Sequence, residues 1–344
     1  MRRLIAVAAV TAMMAAGCAS SASRARGEEG VLRLGIFPNL THAPGYVALG
    51  EGIFDEVLGE TRVETRVFNS GTDAGNALLG GSIDATYIGP GPATSLFLES
   101  GGKVAVVSGA VSGGASFVVR TGSGIDGPED LPGKRIGVPS FGNTQDIALR
   151  AWLEDNGLKT NDEGGEVTVL EVDNPELPQF FQRGDLDGAW EPEPYPSLLV
   201  DQGVAEVYVD EAELWPDGRF VTTHLLVSTP YMENHSDVVR DLVQANVEAI
   251  TFMNEDPEAA KATAQAELIT AGAPSLDKAV VDAAWDRLTF TWDPIASSLE
   301  VGAVDAFELG YIEENPSNIL DLYRLDDLNA ILEQRGEARV EVTA

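Results

Sequence analysis

The chain writes one short pattern twice: GSIDATYIGPGP at residues 81–92 and GDLDGAWEPEP at residues 184–194. Gly81, Asp84 and Tyr87 fall opposite Gly184, Asp187 and Trp190, and each copy runs at once into a proline and a Ser/Leu segment, PATSLF or PSLLV. A glycine, a hydrophobic residue and an aspartate are a common way to leave a turn and enter a short strand, so the upstream text has to decide. The first copy is preceded by RVETRVF and TDAGNALLG, the second by EVTVLEV and NPELPQFFQRG. Each therefore reads as strand, short helix, turn, strand and the start of another helix, which is the right-handed parallel unit of an open α/β sheet. Two α/β lobes of related design follow. Ligands in such sheets sit at the carboxyl ends of the strands, where helix N-termini point. Here those places are the turns GPGP and EPEP.

A chain of 344 residues with 44% apolar content can bury two cores. Its formal net charge of -33 repels phosphate backbones and excludes nucleic acid as a partner. The acidity reads as a solvated surface. Residues 1–17 combine a basic start, Arg2 and Arg3, with the apolar run LIAVAAVTAMMAA, too short for a permanent span, and then small residues; this is an export signal. The sole cysteine, Cys18, follows Ala15-Ala16-Gly17. That placement resembles the bacterial lipoprotein signal, in which the cysteine is lipidated and becomes the first residue, although Ala15 stands where a Leu is usual. An ordinary signal-peptide residue is the alternative. One cysteine allows no internal disulfide. The stretch to residue 30, SSASRARGEEG within it, reads as a flexible tether.

The mature chain then divides into a first part of lobe I at 31–114, an inserted lobe II at 115–223 and a helical return to lobe I at 224–344. VLRLGIF is an apolar strand leading into PNLTHAPGYVALGEGIF, where Pro44 suits a first helical turn and Gly50 and Gly52 end the helix. KVAVVSGAV runs through SGGASFVVR, whose glycines suit a crossing between lobes near 112–117. In SFGNTQDIALRAWLEDNG, Asn143 or Thr144 caps a helix that Asp146 reinforces and Gly157 closes. FVTTHLLVS carries the second crossing, near 219–226. Residues 237–254 place Val239, Val243, Val247, Ile250 and Met253 on one helical face, and 275–335 are helical in pattern.

Taken together, Cys18 with its signal, RLGIFPNLTHAPGYVALGEGIF, GSIDATYIGPGPA, SGGASFVV, DLPGKRIGVPSFGNTQD, DLDGAW with EPEP, and VTTHLLVS resemble the solute-binding lipoproteins of ABC importers, in the nitrate, sulfonate and taurine group. The likeness runs over about residues 31–335. It implies a two-lobed type II periplasmic-binding-protein fold, with two hinge strands and a cleft that closes on a ligand by hinge motion. It also implies a small-molecule ligand such as a sulfonate or taurine-type compound and a membrane permease as partner. A monomer anchored to the membrane by lipid is expected, on the bacterial cell surface or facing the periplasm. No cofactor is expected.

Candidate ligand contacts follow from strand ends and turns. Thr41 and His42 follow the first strand at a helix start, with a cap and an exposed imidazole as the alternative. In GPGPA the backbone N–H groups of Gly91 and Ala93 face an anion, or the segment is only a rigid turn. Gly113 and Gly114 offer backbone at the crossing. Asn143, Thr144 and Gln145 combine side-chain donors with a helix N-terminus and form the best anion site, although capping accounts for the first two as well. Trp190 stacks on the ligand or fills core. Thr223 and His224 lie on the return strand, where a core histidine is an even rival. Glu191 repels a bare anion and suits an amine, a hydroxyl or a metal.

These residues lack Lys and Arg, so an anion would be held by neutral dipoles. Three other readings stay open: nitrate, a pyrimidine-type vitamin precursor, or a metal on His42, His224 and Glu191, for which the spacing gives no signature. An enzyme on the same fold is the weakest, since no Ser-His-Asp order, P-loop, GxGxxG or HExxH is present.

Overall fold

A computed structural model describes residues 30–342; Cys18, the export signal and nearly all of the tether lie outside them. Eleven strands form two sheets among the described residues. The first contains β1 (Val31–Ile36), β2 (Arg62–Val67), β3 (Ala85–Ile88) and β4 (Val104–Gly113), with β10 (Val221–Ser228) and β11 (Leu288–Phe290), in the order β11-β4-β10-β3-β1-β2. The second contains β5 (Ala115–Arg120), β6 (Arg135–Val138), β7 (Thr168–Glu171), β8 (Gly188–Pro192) and β9 (Ala205–Asp210), in the order β7-β6-β8-β5-β9. The chain passes between sheets at Gly113–Ala115 and again before Val221.

The two sheets share a plan. In lobe I, β1 pairs in parallel with β2 and β3, and β10 closes antiparallel on β3. In lobe II, β6 pairs in parallel with β7 and β8, and β5 closes antiparallel on β8. Each antiparallel strand has just arrived from the other lobe, so the crossings are built into both sheets.

The helices that position the site are α1 (Ala43–Gly50), α2 (Gly71–Leu79), α3 (Pro90–Ser100), α4 (Thr144–Asp155), α5 (Leu177–Arg183), α6 (Tyr195–Asp201), α7 (Ser236–Glu255) and α8 (Ala296–Glu308). Apolar spacing in α7 buries Val239, Val243, Val247, Ile250 and Met253 against lobe I. The return region packs on the first lobe through residues such as Leu299 and Leu328, and it differs from an all-helical reading at β11. There LTFTW, rich in β-branched and aromatic residues, adds an edge strand to β4.

Lobe II has a separate core on each face of its sheet. Phe117, Val138, Leu149, Leu153 and Trp190 pack on the α4 face, and Val118, Phe181, Ala189, Tyr195 and Leu199 on the face of α5 and α6. Trp190 and Ala189 fall on opposite faces because successive strand residues alternate.

Candidate functional site between the lobes

The repeated pattern turns out to build the floor of each lobe. Gly81 and Gly184 both take positive φ, 69° and 71°, to end a helix. Their carbonyls accept from Arg33 Nη1 at 2.7 Å and Arg135 Nη2 at 2.6 Å. The aspartates then take both the backbone N–H and the guanidinium of the same arginine. Asp84 Oδ2 accepts from Arg33 N and Nε, each at 2.9 Å, and Asp187 Oδ2 from Arg135 N and Nε at 3.0 and 3.2 Å. One aspartate thereby locks β1 to β3, and another β6 to β8, at the amino-terminal ends of β1 and β6. The opposite, carboxyl ends of both sheets face each other.

A narrow cavity of about 40 Å³ lies between those ends. Lobe I contributes Asn39, Thr41 and His42 after β1, Asn69 after β2, and Gly89 at the start of α3. Lobe II contributes Asn143, Thr144 and Gln145 from the start of α4, Asn174 after β7, and Pro192 at the end of β8. No Lys, Arg, Asp or Glu lines it. A wider gap of about 300 Å³ opens between α4 and α8, but Glu154, Asp155, Asp305 and Glu308 line it. Burial, and then these neighbouring carboxylates, push Asp305 up to about 6. An anion is repelled there, so the neutral cavity is the candidate ligand site.

The five sequence-derived candidates Thr41, His42, Asn143, Thr144 and Gln145 meet in this cavity. Asn143 Oδ1 caps α4, accepting from the backbone N–H of Gln145 at 3.0 Å and Asp146 at 3.1 Å. Capping therefore uses its carbonyl oxygen and leaves its amide NH₂ as a donor. Thr144 Oγ1 accepts from Gly91 N–H of the other lobe at 3.3 Å. His42 Nδ1 accepts from Phe37 N–H at 3.3 Å, so the neutral ring carries its proton on Nε2 and is a donor there. Burial holds its pKa down at about 3. Thr41 Oγ1 donates to Asn39 Oδ1 at 2.7 Å, which turns the Asn39 NH₂ into the free end of that amide.

The remaining candidates lie outside the cavity lining. Trp190 is fully buried, stacks on Phe117 at 5.6 Å and donates from Nε1 to Glu211 at 2.7 Å; it is core. Ala93 is buried and its N–H bonds to Gly89 O at 3.2 Å, as the first turn of α3 requires. Gly91 spends its N–H on Thr144. Gly113 and Gly114 have φ of 78° and 74°, and their carbonyls accept from Thr222 Oγ1 and Glu193 N. They turn the chain and tie the crossing. A Cβ on Gly113 would stand 2.6 Å from Arg287 O, which explains the glycine there without a ligand. His224 Nε2 bonds to Pro294 O at 3.1 Å against the edge of Tyr323, within lobe I, and burial lowers its pKa to about 4. Thr223 beside it is fully buried. His42, Glu191 and His224 are not brought together as a metal-binding group, and none exists among the described residues.

Glu191 occupies an unusual position. It is fully buried, neither carboxyl oxygen has a partner, and burial pushes its pKa well above the usual carboxylate range. Glu193, two residues on, is by contrast occupied. Its carboxylate accepts from Ser197 N and Oγ at the start of α6, and Arg287 Nε stands 3.5 Å away; burial still raises it to about 7. Asn39, Asn69 and Asn174 are cavity residues that the sequence reading passed over. Each follows a strand by two or three residues, which is the one signal that could have found them.

The lobes touch directly around the cavity. Glu193 O accepts from Leu40 N at 2.9 Å, and Tyr195 OH donates to Pro38 O at 3.1 Å. Arg287 of the return region pairs with Asp210 at 2.5 Å, and Tyr311 donates to Asp146 on α4.

Two related α/β lobes joined by two crossings, with a cleft between them, are the two-lobed fold found in periplasmic binding proteins. The chain belongs to the NMT1-like family, whose model matches residues 25–269. It is similar to the taurine-binding periplasmic protein of Escherichia coli (strain K12), 29% identical over 207 residues, which cover 60% of this chain and 62% of that one. The match thus spans somewhat less than two thirds of that relative's length. In fold it is similar to the alkanesulfonate-binding protein SsuA from Xanthomonas axonopodis pv. citri bound to MOPS (TM-score 0.71, 18% identity, 87% of this chain and 100% of that one). It is also similar to the periplasmic nitrate-binding protein NrtA from Synechocystis PCC 6803 (TM-score 0.72, 15% identity, 89% of each chain).

Proposed function

We propose that the protein is the extracytoplasmic receptor of an ABC importer, capturing a small organic anion or zwitterion of the sulfonate or taurine type and delivering it to a membrane permease. The observation that carries this reading is the interlobe cavity, whose polar lining consists of neutral donors and a helix N-terminus with no fixed charge. A helix N-terminus favours an anion by about 0.3–1 kcal/mol when exposed and up to about 2 when partly buried. Donors inside a water-excluded cleft need no reorganisation to meet it. The shared ancestry with a taurine-binding protein supports the same class. Calorimetric titration of the mature protein with taurine, ethanesulfonate, nitrate, a thiamine pyrimidine and zinc tests it. Binding of a sulfonate is expected; heat only with the pyrimidine or zinc would replace the reading.

Lipid attachment at Cys18 belongs to the same proposal, supported by AAGC after the apolar run. Expressed in a bacterium with a lipoprotein pathway, the full chain is expected in the detergent phase and Cys18→Ser in the aqueous phase. Identical partitioning and mass would overturn it.

A further inference from the structure

Where the lobes meet beside Arg287, opposite charges face each other: its Nη1 stands 2.5 Å from Asp210 and its Nε 3.5 Å from Glu193. The gap between α4 and α8 is built the other way. Its two walls belong to different lobes, and each contributes two carboxylates, Glu154 and Asp155 from lobe II and Asp305 and Glu308 from lobe I. Buried Glu211 adds a fifth from the lobe II side, and no Lys or Arg lines the gap. The placement is unfavourable twice over. Glu154 and Asp155 end α4, and Asp305 and Glu308 fall in the last turn of α8, where the backbone carbonyls favour a cation; neither last turn carries a basic residue. The two helix ends then meet across one gap of about 300 Å³, which adds repulsion between the lobes to the repulsion within each.

Nearby cations are committed elsewhere. Arg150 of α4 holds Asp146 and Asp162 at 2.8 and 3.0 Å. Lys159 reaches Glu154 alone, at 3.7 Å from an exposed position. Arg219, beyond Trp215, pairs with Asp293 at 2.7 Å. The other elements packed on α8 bring no charge: in the narrow cleft that adjoins the gap, α3 presents Pro90 and Gly91, and β10 presents Val221. Asp305 is half-buried and, among the described residues, forms no ion pair. Burial first, and then Glu308, Asp155 and Glu154, hold it up at about 6.

We propose that the gap between α4 and α8 is a charge brake on closure: it sets carboxylates of the two lobes against each other when the cleft shuts, and a proton on Asp305 eases it. Opening carries α4 away from α8 and returns water to the rim carboxylates, so the closed form alone bears the repulsion between lobes. The bonds from Tyr311 to Asp146 and from Gly91 to Thr144, at the other end of α4, pull the opposite way. The sign of the pH response follows. In the open form Asp305 faces water without Glu154 and Asp155, and its pKa falls toward the ordinary 3.8. The closed form therefore binds more protons between the two values. The closed fraction is lowest above pH 7, rises as pH falls through about 6, and levels off near 4. The brake acts whatever ligand fills the cavity, so it stands or falls apart from the receptor reading.

A fluorophore pair spanning the cleft of the mature, ligand-free protein tests this, in wild type, Asp305→Asn, Asp155→Asn and the double variant. Each substitution keeps the shape and removes a charge without an ion-pair partner from the last turn of a helix, so the variants are expected to fold; thermal melting checks it. Lowering pH from about 7.5 to about 5 should raise the closed-to-open ratio of wild type about three- to tenfold. Asp305→Asn should raise the ratio at pH 7.5 by at least as much and shrink the pH response by that factor. Glu193 and Glu211, raised to about 7, titrate in the same range, so the difference between wild type and Asp305→Asn is the reading. Asp155→Asn should favour closure in wild type and do so clearly less beside Asp305→Asn, the non-additivity of groups that interact. Equal effects of Asp155→Asn in both backgrounds, a ratio unmoved by Asp305→Asn, or a pH response of the same size with and without Asp305 overturns the brake.

Discussion

The two lobes share a clamp and differ in what they do beyond it. Arg33 with Asp84 and Gly81 in lobe I, and Arg135 with Asp187 and Gly184 in lobe II, make the same bonds at the same register, at Leu34↔Ala85 in one sheet and Ile136↔Gly188 in the other. At the cleft end the copies part. The first runs from β3 into α3 through GPGP, with Gly91 N–H turned onto the opposite lobe. The second runs from β8 into α6 through EPEP, leaving Glu191 unpaired and Glu193 fixed on Ser197. Both turns line the cavity with prolines or glycine, Gly89 and Pro92 in lobe I and Pro192 in lobe II, and the carboxyl groups of EPEP stay buried outside the lining. A duplicated scaffold holds still the end of the sheet that carries stability, and the other end is free to differ.

The clamp gives the largest expected effect. In lobe I the side chains of Arg33 and Asp84 are only 17% and 5% exposed. Removing one member of a buried pair costs about 3–5 kcal/mol, because the other charge is left without a partner. Asp84→Ala should therefore lower unfolding stability by about that much. In lobe II, Asp187 serves Arg120 as well as Arg135, at 3.0 and 3.2 Å, but the arginines are 27% and 41% exposed and can turn to water. Asp187→Ala should cost less, about 1–3 kcal/mol. Urea unfolding of both variants checks the order; equal losses would break the distinction.

The repeat was legible because both of its constraints are local: a glycine that must take positive φ and an aspartate at a strand start. The arginines were not, since their role depends on pairing across some fifty residues, which no spacing rule displays. Trp190 and Glu191 show the same limit at close range. Adjacent strand residues point to opposite faces, and here both faces abut core, so neither side chain lines the cavity. The helix at Asn143 was readable from its cap, and a cap at a strand end is also an anion site. The lone asparagines 39, 69 and 174 carry no pattern of their own and gain meaning only from the strands before them.

Titration should separate the lobes in opposite directions. His42 and His224, in lobe I, are held by burial at about 3 and about 4, below the ordinary 6.5. The folded state therefore binds fewer protons there, and stability present above about 6.5 is lost as pH falls toward those values. Glu193 and Glu211, in lobe II, are raised by burial from 4.5 to about 7. Their sign is the reverse: stability is complete below about 4.5 and is lost as pH rises through 7. Each carboxyl contributes a slope of up to about 1.4 kcal/mol per pH unit in its window. Glu211→Gln should flatten the fall in melting temperature between pH 5 and 7 by one such contribution. An unchanged slope would show that Glu211 is ionised in the fold.

Closure rests on contacts that belong to neither lobe alone. Tyr311 donates to Asp146, a side chain with no exposure that also holds Arg150 Nε at 2.8 Å and Gly142 N at 2.8 Å. Tyr311→Phe leaves the lobe II network intact and removes only its bond to lobe I. A hydrogen bond to a charged group contributes about 1.5–3 kcal/mol, so the closed-to-open ratio of the ligand-free protein should fall about tenfold or more. A fluorophore pair spanning the cleft reads this directly. No change would mean that Tyr311 packs without latching.

The smallest effect concerns a bond at the cavity wall, from Gly91 N–H to Thr144 Oγ1 at 3.3 Å. It is neutral and long, so its contribution is about 0.5–1.5 kcal/mol. It also shows what α3 does that its lobe II counterpart α6 does not. Pro90 and Pro92 have no N–H to offer, so Gly91 is the donor that the GPGP turn presents across the gap. Thr144→Ser keeps the hydroxyl and should leave the ligand-free closed fraction within twofold of wild type. Thr144→Val removes it and leaves Gly91 N–H without an acceptor, lowering that fraction about two- to tenfold. The same cleft-spanning label pair measures both, without ligand, so that loss of the α4 donor does not enter. If Thr144→Ser opens the cleft as far as Thr144→Val, the methyl group and not the hydroxyl holds the lobes. The GPGP turn would then meet lobe II by packing alone.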